Sequence, residues 1–138
     1  MQLHRGRLID HIHLRARDLE ATKRFYKAVL AVIGAPVVEG QHPDGGGYFY
    51  ADELWVDEGE PRTHVHLAFQ APDEETVRRF HAAALAAGGR DNGAPGLRPY
   101  HPGYYAAFAY DPDGNNIEAV FHGPAHRSAD SVVLTWEE

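Results

Sequence analysis

The chain has 138 residues, 43% of them hydrophobic, a net charge of -7 and no cysteine. That length suits one ordinary domain burying about two thirds of its unfolded surface, and the lack of cysteine excludes disulfide frameworks, thiolate nucleophiles and Cys-ligated zinc. The 13 Lys and Arg residues are scattered among 20 Asp and Glu, so no basic stripe is available to track phosphates and nucleic acid is not an expected partner.

The opening MQLHRGRLIDHIHL lacks the apolar core of a signal peptide, and no apolar run approaches the roughly 18 residues a membrane span needs. A soluble, cytoplasmic protein without a membrane partner is expected. Residues 10–14, DHIHL, read as a short strand with Ile12 and Leu14 on one face and His11 and His13 on the other. Asp18 is a natural N-cap for the helix that follows, in which Leu19, Thr22, Tyr26, Val29 and Ile33 recur every three or four positions until Gly34 stops it. Strand material comes next at 36–39, 48–51 and 54–56. The run Gly45-Gly46-Gly47 lies between strands with no Lys-Ser or Lys-Thr behind it, so it is a hairpin loop and not a phosphate cradle.

The pattern then repeats. Residues 63–67, THVHL, again set two histidines, His64 and His66, opposite Val65 and Leu67. Asp73 caps a second helix whose Glu74 and Glu75 favour the positive end of its dipole, whose apolar stripe is Val77, Phe80, Ala84 and Ala87, and whose stop is Gly88-Gly89. Arg24-Phe25 matches Arg79-Phe80, Ala28 matches Ala83 and Gly34 matches Gly89, each 55 residues on, whereas His11 and His64 are 53 apart. Two additional residues are therefore expected in the second strand-to-helix loop. A strand near Leu97 precedes a hairpin over 104–121, because Asp111-Pro112-Asp113-Gly114 has the residue order of a type I turn. On its second strand Ile117, Ala119 and Phe121 share one side and Asn116, Glu118 and Val120 the other, so Glu118 is either a solvated outward residue or an inward carboxylate.

Each module thus reads strand, helix, strand, strand, strand, over about 8–58 and 62–122 of one domain spanning 1–138. Residues 123–138 form an extension in which 132–136 is expected to be an added edge strand or a dimer contact. Ten histidines are the compositional oddity, and neutral imidazole is the commonest metal ligand as well as a proton carrier near pH 7.

The doubled module, with DHIHL and DLEATKRFY opening its first half and HVHLAF and DPDGNNIEAV framing its second, closely resembles the vicinal oxygen chelate superfamily, which includes glyoxalase I, bleomycin-resistance proteins and extradiol dioxygenases. The resemblance covers roughly residues 8–122. It implies an α+β fold in which two βαβββ modules curl into an incomplete, barrel-like mixed sheet with the helices outside. It also implies one divalent metal ion (Zn, Fe, Mn, Ni or similar) on the inner face, with ligands at His11, His64 and Glu118. Donor chemistry agrees, since two imidazoles and one carboxylate leave coordination positions open.

The fourth protein ligand of glyoxalase I, a glutamate, has Trp55 at the position that internal symmetry with Glu118 marks out. Trp55 cannot bind a metal, which argues against glyoxalase I proper and makes it a wall of the substrate cavity. His13 and His66, two residues along from the implied ligands, are candidate acid-base or supporting groups, with hydrogen-bonded strand histidines as the plain reading. The stretch 98–105 is an aromatic lid candidate that brings His101 or Tyr105 to the substrate and lines the cavity with Tyr104. The expected function is a small metal-dependent lyase, isomerase or dioxygenase, homodimeric, whose metal chelates neighbouring oxygens of a small-molecule substrate. The alternative is a metal-free ligand-sequestering protein of the bleomycin-resistance type.

Overall fold

The computed structural model describes residues 2–5, 11–124, 126, 129 and 132–135. Strand β1 (Gln2–Arg5) is followed by a first module of β2 (Ile12–Ala16), α1 (Leu19–Val32), β3 (Val38–Gln41), β4 (Gly47–Ala51) and β5 (Leu54–Glu58). A second module contains β6 (His66–Gln70), α2 (Glu74–Ala86), β7 (Arg90–Leu97), β8 (Tyr105–Tyr110) and β9 (Asn116–Phe121), and β10 (Val132–Thr135) closes the series.

Each module makes its own four-stranded mixed sheet, in the orders β2-β5-β4-β3 and β6-β9-β8-β7. The helix that follows the first strand forces a crossover, so β2 pairs with β5 in parallel, and β6 with β9, while the hairpin-connected neighbours are antiparallel. Among the described residues the two sheets do not close into a barrel. This is the α+β, two-module architecture that the pattern implied.

Both helices begin where a carboxylate caps them. Asp18 accepts from the Ala21 N–H at 3.1 Å and Asp73 from the Thr76 N–H at 2.7 Å, and the bonds from Thr76 hold the Asp73 carboxyl below its ordinary range. The buried stripe of α1 is Thr22, Phe25, Tyr26, Val29 and Leu30; that of α2 is Thr76, Val77, Phe80 and Ala84. These lie over the sheet faces that carry Phe49, Val56, Ile117 and Ala119, all of them core residues. The opposite faces are left for chemistry.

The first strand and the helix of each module share one register, which corrects the 53-residue spacing read from the histidines. Ala16 and Ala71 are both buried and both stand two residues before a capping aspartate. In the parallel ladders His13 pairs with Trp55 and Ala68 with Glu118. The 55-residue spacing of the helices therefore extends back through β2 and β6, and His66, not His64, is the counterpart of His11. A His-x-His doublet misleads here because strand side chains alternate with period two, so a slip of two residues preserves every face. Trp55 and Glu118 do occupy matching positions.

The C-terminal strand is real but is not added to the edge of either four-stranded sheet. It pairs antiparallel with β1, Gln2 opposite Thr135, in a separate two-stranded sheet. Trp136 lies outside the described residues.

Candidate metal centre

The turn after β8 is a bracket that fixes β9. Asp111 is buried, and its Oδ1 accepts from the backbone N–H groups of Asp113 at 3.0 Å and Asn115 at 2.8 Å. Its Oδ2 accepts from Asn115 Nδ2 at 2.8 Å and from the Tyr26 hydroxyl of α1 at 2.7 Å. Asn115 Oδ1 in turn accepts the Val65 N–H at 2.9 Å. Gly114, at φ +84°, makes the left-handed step that a side chain would resist. First-module helix, second-module hairpin and the start of β6 are thereby joined through side chains of the DPDGN motif. Burial, then the charge of Asp111, pushes the Tyr26 hydroxyl well above its usual range, so it remains a donor.

Four residues beyond that turn, Glu118 stands on the sheet face away from the helices and is 2% exposed. Its Oε1 is 2.8 Å from His66 Nε2 and its Oε2 accepts from the Tyr104 hydroxyl. Among the described residues the ion-pair partner of this carboxylate is His66, a side chain 53% exposed and charged only when protonated. A buried carboxylate is costly unless its oxygens are satisfied, and here both are committed while the imidazole beside it faces outward. Phe108, paired with Glu118 across the ladder, floors the site, with its ring 6.0 Å from that of His66.

Tyr104 is held in place by rings. Tyr100, His101 and His122 all meet it edge to face at 5.0–5.3 Å. Burial first, and the bond to Glu118 second, push its hydroxyl up to about 12, so it is a protonated donor at neutral pH. His101 Nδ1 donates to the Pro102 carbonyl at 2.9 Å, which leaves Nε2 to accept from His122 Nδ1 at 2.9 Å. Gly103 and Gly123, each at φ +86°, pass so close that a Cβ on Gly103 would lie 3.3 Å from Gly123 Cα. The segment carrying Tyr100, His101 and Tyr104 is thus fastened to the end of β9.

The other expected residues are placed differently. His64 is exposed and its ring lies against Gly114, with Nε2 3.4 Å from where a Cβ would stand; it is His66 that reaches Glu118. His11 is exposed and precedes β2, on the other sheet. Tyr105 points to the helix face, where its hydroxyl accepts from Arg78 Nη1 at 3.3 Å; adjacent residues take opposite faces, so Tyr104 alone of the pair reaches the carboxylate. Among the described residues no three His, Asp or Glu side chains gather into a metal-holding group.

His13 belongs to a second cluster, on the first sheet. Its Nε2 is 2.8 Å from Asp57 Oδ1, which also receives Arg15 Nε at 2.9 Å, while His42 Nε2 stands 3.4 Å from Oδ2. Trp55 stacks on Tyr48 and Tyr50 at 4.4 and 5.4 Å, an aromatic wall beside the cluster. Parity along β5 puts Asp57 on the face of Trp55, whereas Arg15, His42, Phe108 and His122 were not singled out by sequence, and the part played by His122 depends on the fold.

The model of the Glyoxalase/Bleomycin resistance protein/Dioxygenase superfamily matches residues 8–119. The chain belongs to this superfamily. It is 31% identical to a glyoxalase/bleomycin resistance protein from Albidiferax ferrireducens T118, with 83% of this chain and 98% of that one covered at a TM-score of 0.69. It is 25% identical to a mutant of the genomically encoded fosfomycin resistance protein FosX from Listeria monocytogenes, a structure complexed with Mn(II) and 1S,2S-dihydroxypropylphosphonic acid (84% and 90% covered, TM-score 0.60). A lactoylglutathione lyase from Agrobacterium tumefaciens shares the fold at 22% identity (83% and 93% covered, TM-score 0.57). Among curated proteins none matches significantly. No helix among the described residues is long and apolar enough to cross a membrane.

The FosX structure contains Mn(II), and the residues on the second module's sheet can be tested for fit to such an ion. Two ligands of an octahedral ion, bonded at about 2.0–2.2 Å and about 90° apart, are separated by about 3 Å, and His66 Nε2 and Glu118 Oε1, hydrogen-bonded to each other, stand 2.8 Å apart. The pair has the spacing and donor types of two adjacent ligands.

Proposed function

We propose that this chain is a small metal-dependent enzyme of the glyoxalase/dioxygenase type, in which His66 and Glu118 hold one divalent cation that engages neighbouring oxygens of a small-molecule substrate. The observation that carries this reading is the buried Glu118 carboxylate, 2.8 Å from an outward-facing imidazole. The FosX complex supports it, since its ligands are Mn(II) and a vicinal diol. His11, the counterpart of His66 in the repeat, is the third ligand in this reading, supplied by a second copy of the chain in a homodimer.

A bound divalent cation would supply Lewis acidity toward charge developing on a substrate oxygen, as lyase, isomerase and dioxygenase chemistry all require. The chain's own residues do the rest. Glu118 and His66 present one oxygen and one nitrogen to the same side. Tyr104 occupies the second carboxylate oxygen and keeps it from turning. Phe108 gives the substrate an apolar floor.

Metal content of the full-length protein, after loading with Mn(II), Zn(II), Fe(II) or Ni(II) and desalting, tests the proposal. One ion per chain is expected for the unmodified protein and for His64→Ala, and none for His66→Ala or Glu118→Gln. Retention of the ion by both of the latter would overturn it. A metal-free sequestering protein is the second reading, favoured by the stacked Tyr48, Trp55 and Tyr50 wall; it expects ligand affinity to be unaffected by Glu118→Gln.

A further inference from the structure

The Glu118 carboxylate is held by an assembly that extends from Tyr104 to the end of β9. Tyr104 donates to Glu118 Oε2. Three rings enclose the phenol edge to face, and two of them, His101 and His122, are hydrogen-bonded to each other at 2.9 Å. His101 is further tied to the Pro102 carbonyl at 2.9 Å, and the Gly103–Gly123 contact fastens this segment to the end of the strand that carries Glu118. Each tie fixes the phenol along a different direction.

We infer that Tyr104 is a positioning residue that commits Glu118 Oε2, so that Oε1 alone faces His66 and the carboxylate binds a cation through one oxygen. The inference rests on the metal-dependent reading above and deepens it. A free carboxylate can swing about its side-chain torsions or present both oxygens. With one oxygen bonded to a donor whose ring meets Tyr100, His101 and His122, rotation would break the Tyr104 bond of a carboxylate that is 2% exposed, where a lost bond is expensive. Groups of this kind, which touch a ligating side chain without touching the metal, commonly change metal affinity about 10–100-fold. His122 and His101 act one step further out, through the Tyr104 ring.

The test compares Mn(II) affinity of the full chain by calorimetric titration, and the visible absorption spectrum of the Co(II)-loaded protein, for four proteins: unmodified, Tyr104→Phe, His122→Ala and Glu118→Gln. Tyr104→Phe keeps the ring and its packing and removes only the hydroxyl, so its melting temperature without metal serves as the folding control. Expected is a Mn(II) affinity at least about tenfold weaker for Tyr104→Phe, with an altered Co(II) spectrum, as a carboxylate released to bind through both oxygens changes the coordination number. His122→Ala should move both readouts the same way by less. Unchanged affinity and spectrum in Tyr104→Phe, alongside loss of binding in Glu118→Gln, would overturn the role of Tyr104 and leave the metal reading intact. Full binding in Glu118→Gln would instead overturn the metal reading, and this inference with it.

Discussion

Two histidine-carboxylate pairs, one on each sheet, have the same local geometry and different chemistry. His66 meets Glu118 and His13 meets Asp57 at 2.8 Å, each from a strand to the residue two beyond its ladder partner on the parallel neighbour. The pairs sit at different heights in the repeat. The position of His66 and Glu118 is filled in the first module by His11 and Trp55, and that of His13 and Asp57 in the second by Ala68 and Val120.

Their neighbours separate them further. Asp57 is 16% exposed and already has the Arg15 guanidinium on the oxygen it shares with His13. Glu118 is nearly sealed, and among the described residues its ion pair is with an imidazole that is neutral unless protonated. A fixed cation beside Asp57 cancels the charge that a second cation would seek, whereas among the described residues no Lys or Arg pairs with Glu118. The same dyad is thus an internal ion pair on one sheet and a candidate metal ligand set on the other.

Substitutions that treat the pairs alike should give opposite answers. The largest difference is expected between Glu118→Gln and Asp57→Asn: Mn(II) affinity falls more than about 100-fold in the first, beyond the range for groups that touch only a ligand, and less than about threefold in the second. Equal losses would erase the distinction. The brackets that hold the two sheets should differ as well. Removing the Asp111 carboxylate by Asp111→Ala strands the Tyr26 hydroxyl and several buried N–H groups, at a cost of about 3–4 kcal/mol in chemical denaturation. Tyr26→Phe, which takes one donor from that carboxylate, should cost about 1–3 kcal/mol. The first-module turn bends through Asp52 at φ +48°; Asp52→Ala should cost less than about 1 kcal/mol, since both residues carry a β-carbon into the left-handed region and only the short polar side chain that eases it is lost.

The smallest expected effect is a pH dependence confined to the first module. Lys23 first, and Lys27 second, hold the Glu39 carboxyl down from 4.5 to about 2. A depressed acid contributes stability that is present above its unfolded value and is lost as pH falls through its folded one. Acid titration should therefore show a loss between pH 4.5 and about 2 that is absent in Glu39→Gln, and metal affinity at neutral pH should be the same in both proteins.

Much of this arrangement was legible in the sequence, and the part that was not has a physical cause. Periodicity and capping residues gave both helices, since Asp18 and Asp73 cap them as expected and the apolar stripes are buried. Parity after the Asp111-Pro112-Asp113-Gly114 turn left Glu118 either outward or inward, the resemblance favoured the inward carboxylate, and the side chain is buried. The choice between His64 and His66 did not follow, because a two-residue slip leaves strand parity untouched and only the buried Ala16 and Ala71 anchor the register. Tyr104 and Tyr105 were separable in principle by parity, but which of them faced the carboxylate depended on where β8 begins. His122 and Arg15 acquire their partners only through pairings distant in sequence, His122 with a residue 21 positions away and Arg15 with one on a neighbouring strand.

The most direct test is an anomalous difference map from crystals of the full chain soaked in Co(II). The account predicts one strong peak per chain within about 2.2 Å of both His66 Nε2 and Glu118 Oε1, with Tyr104 still on the other carboxylate oxygen. A peak between His13 and Asp57, or Co(II) bound to His64 with Glu118 uninvolved, would contradict it.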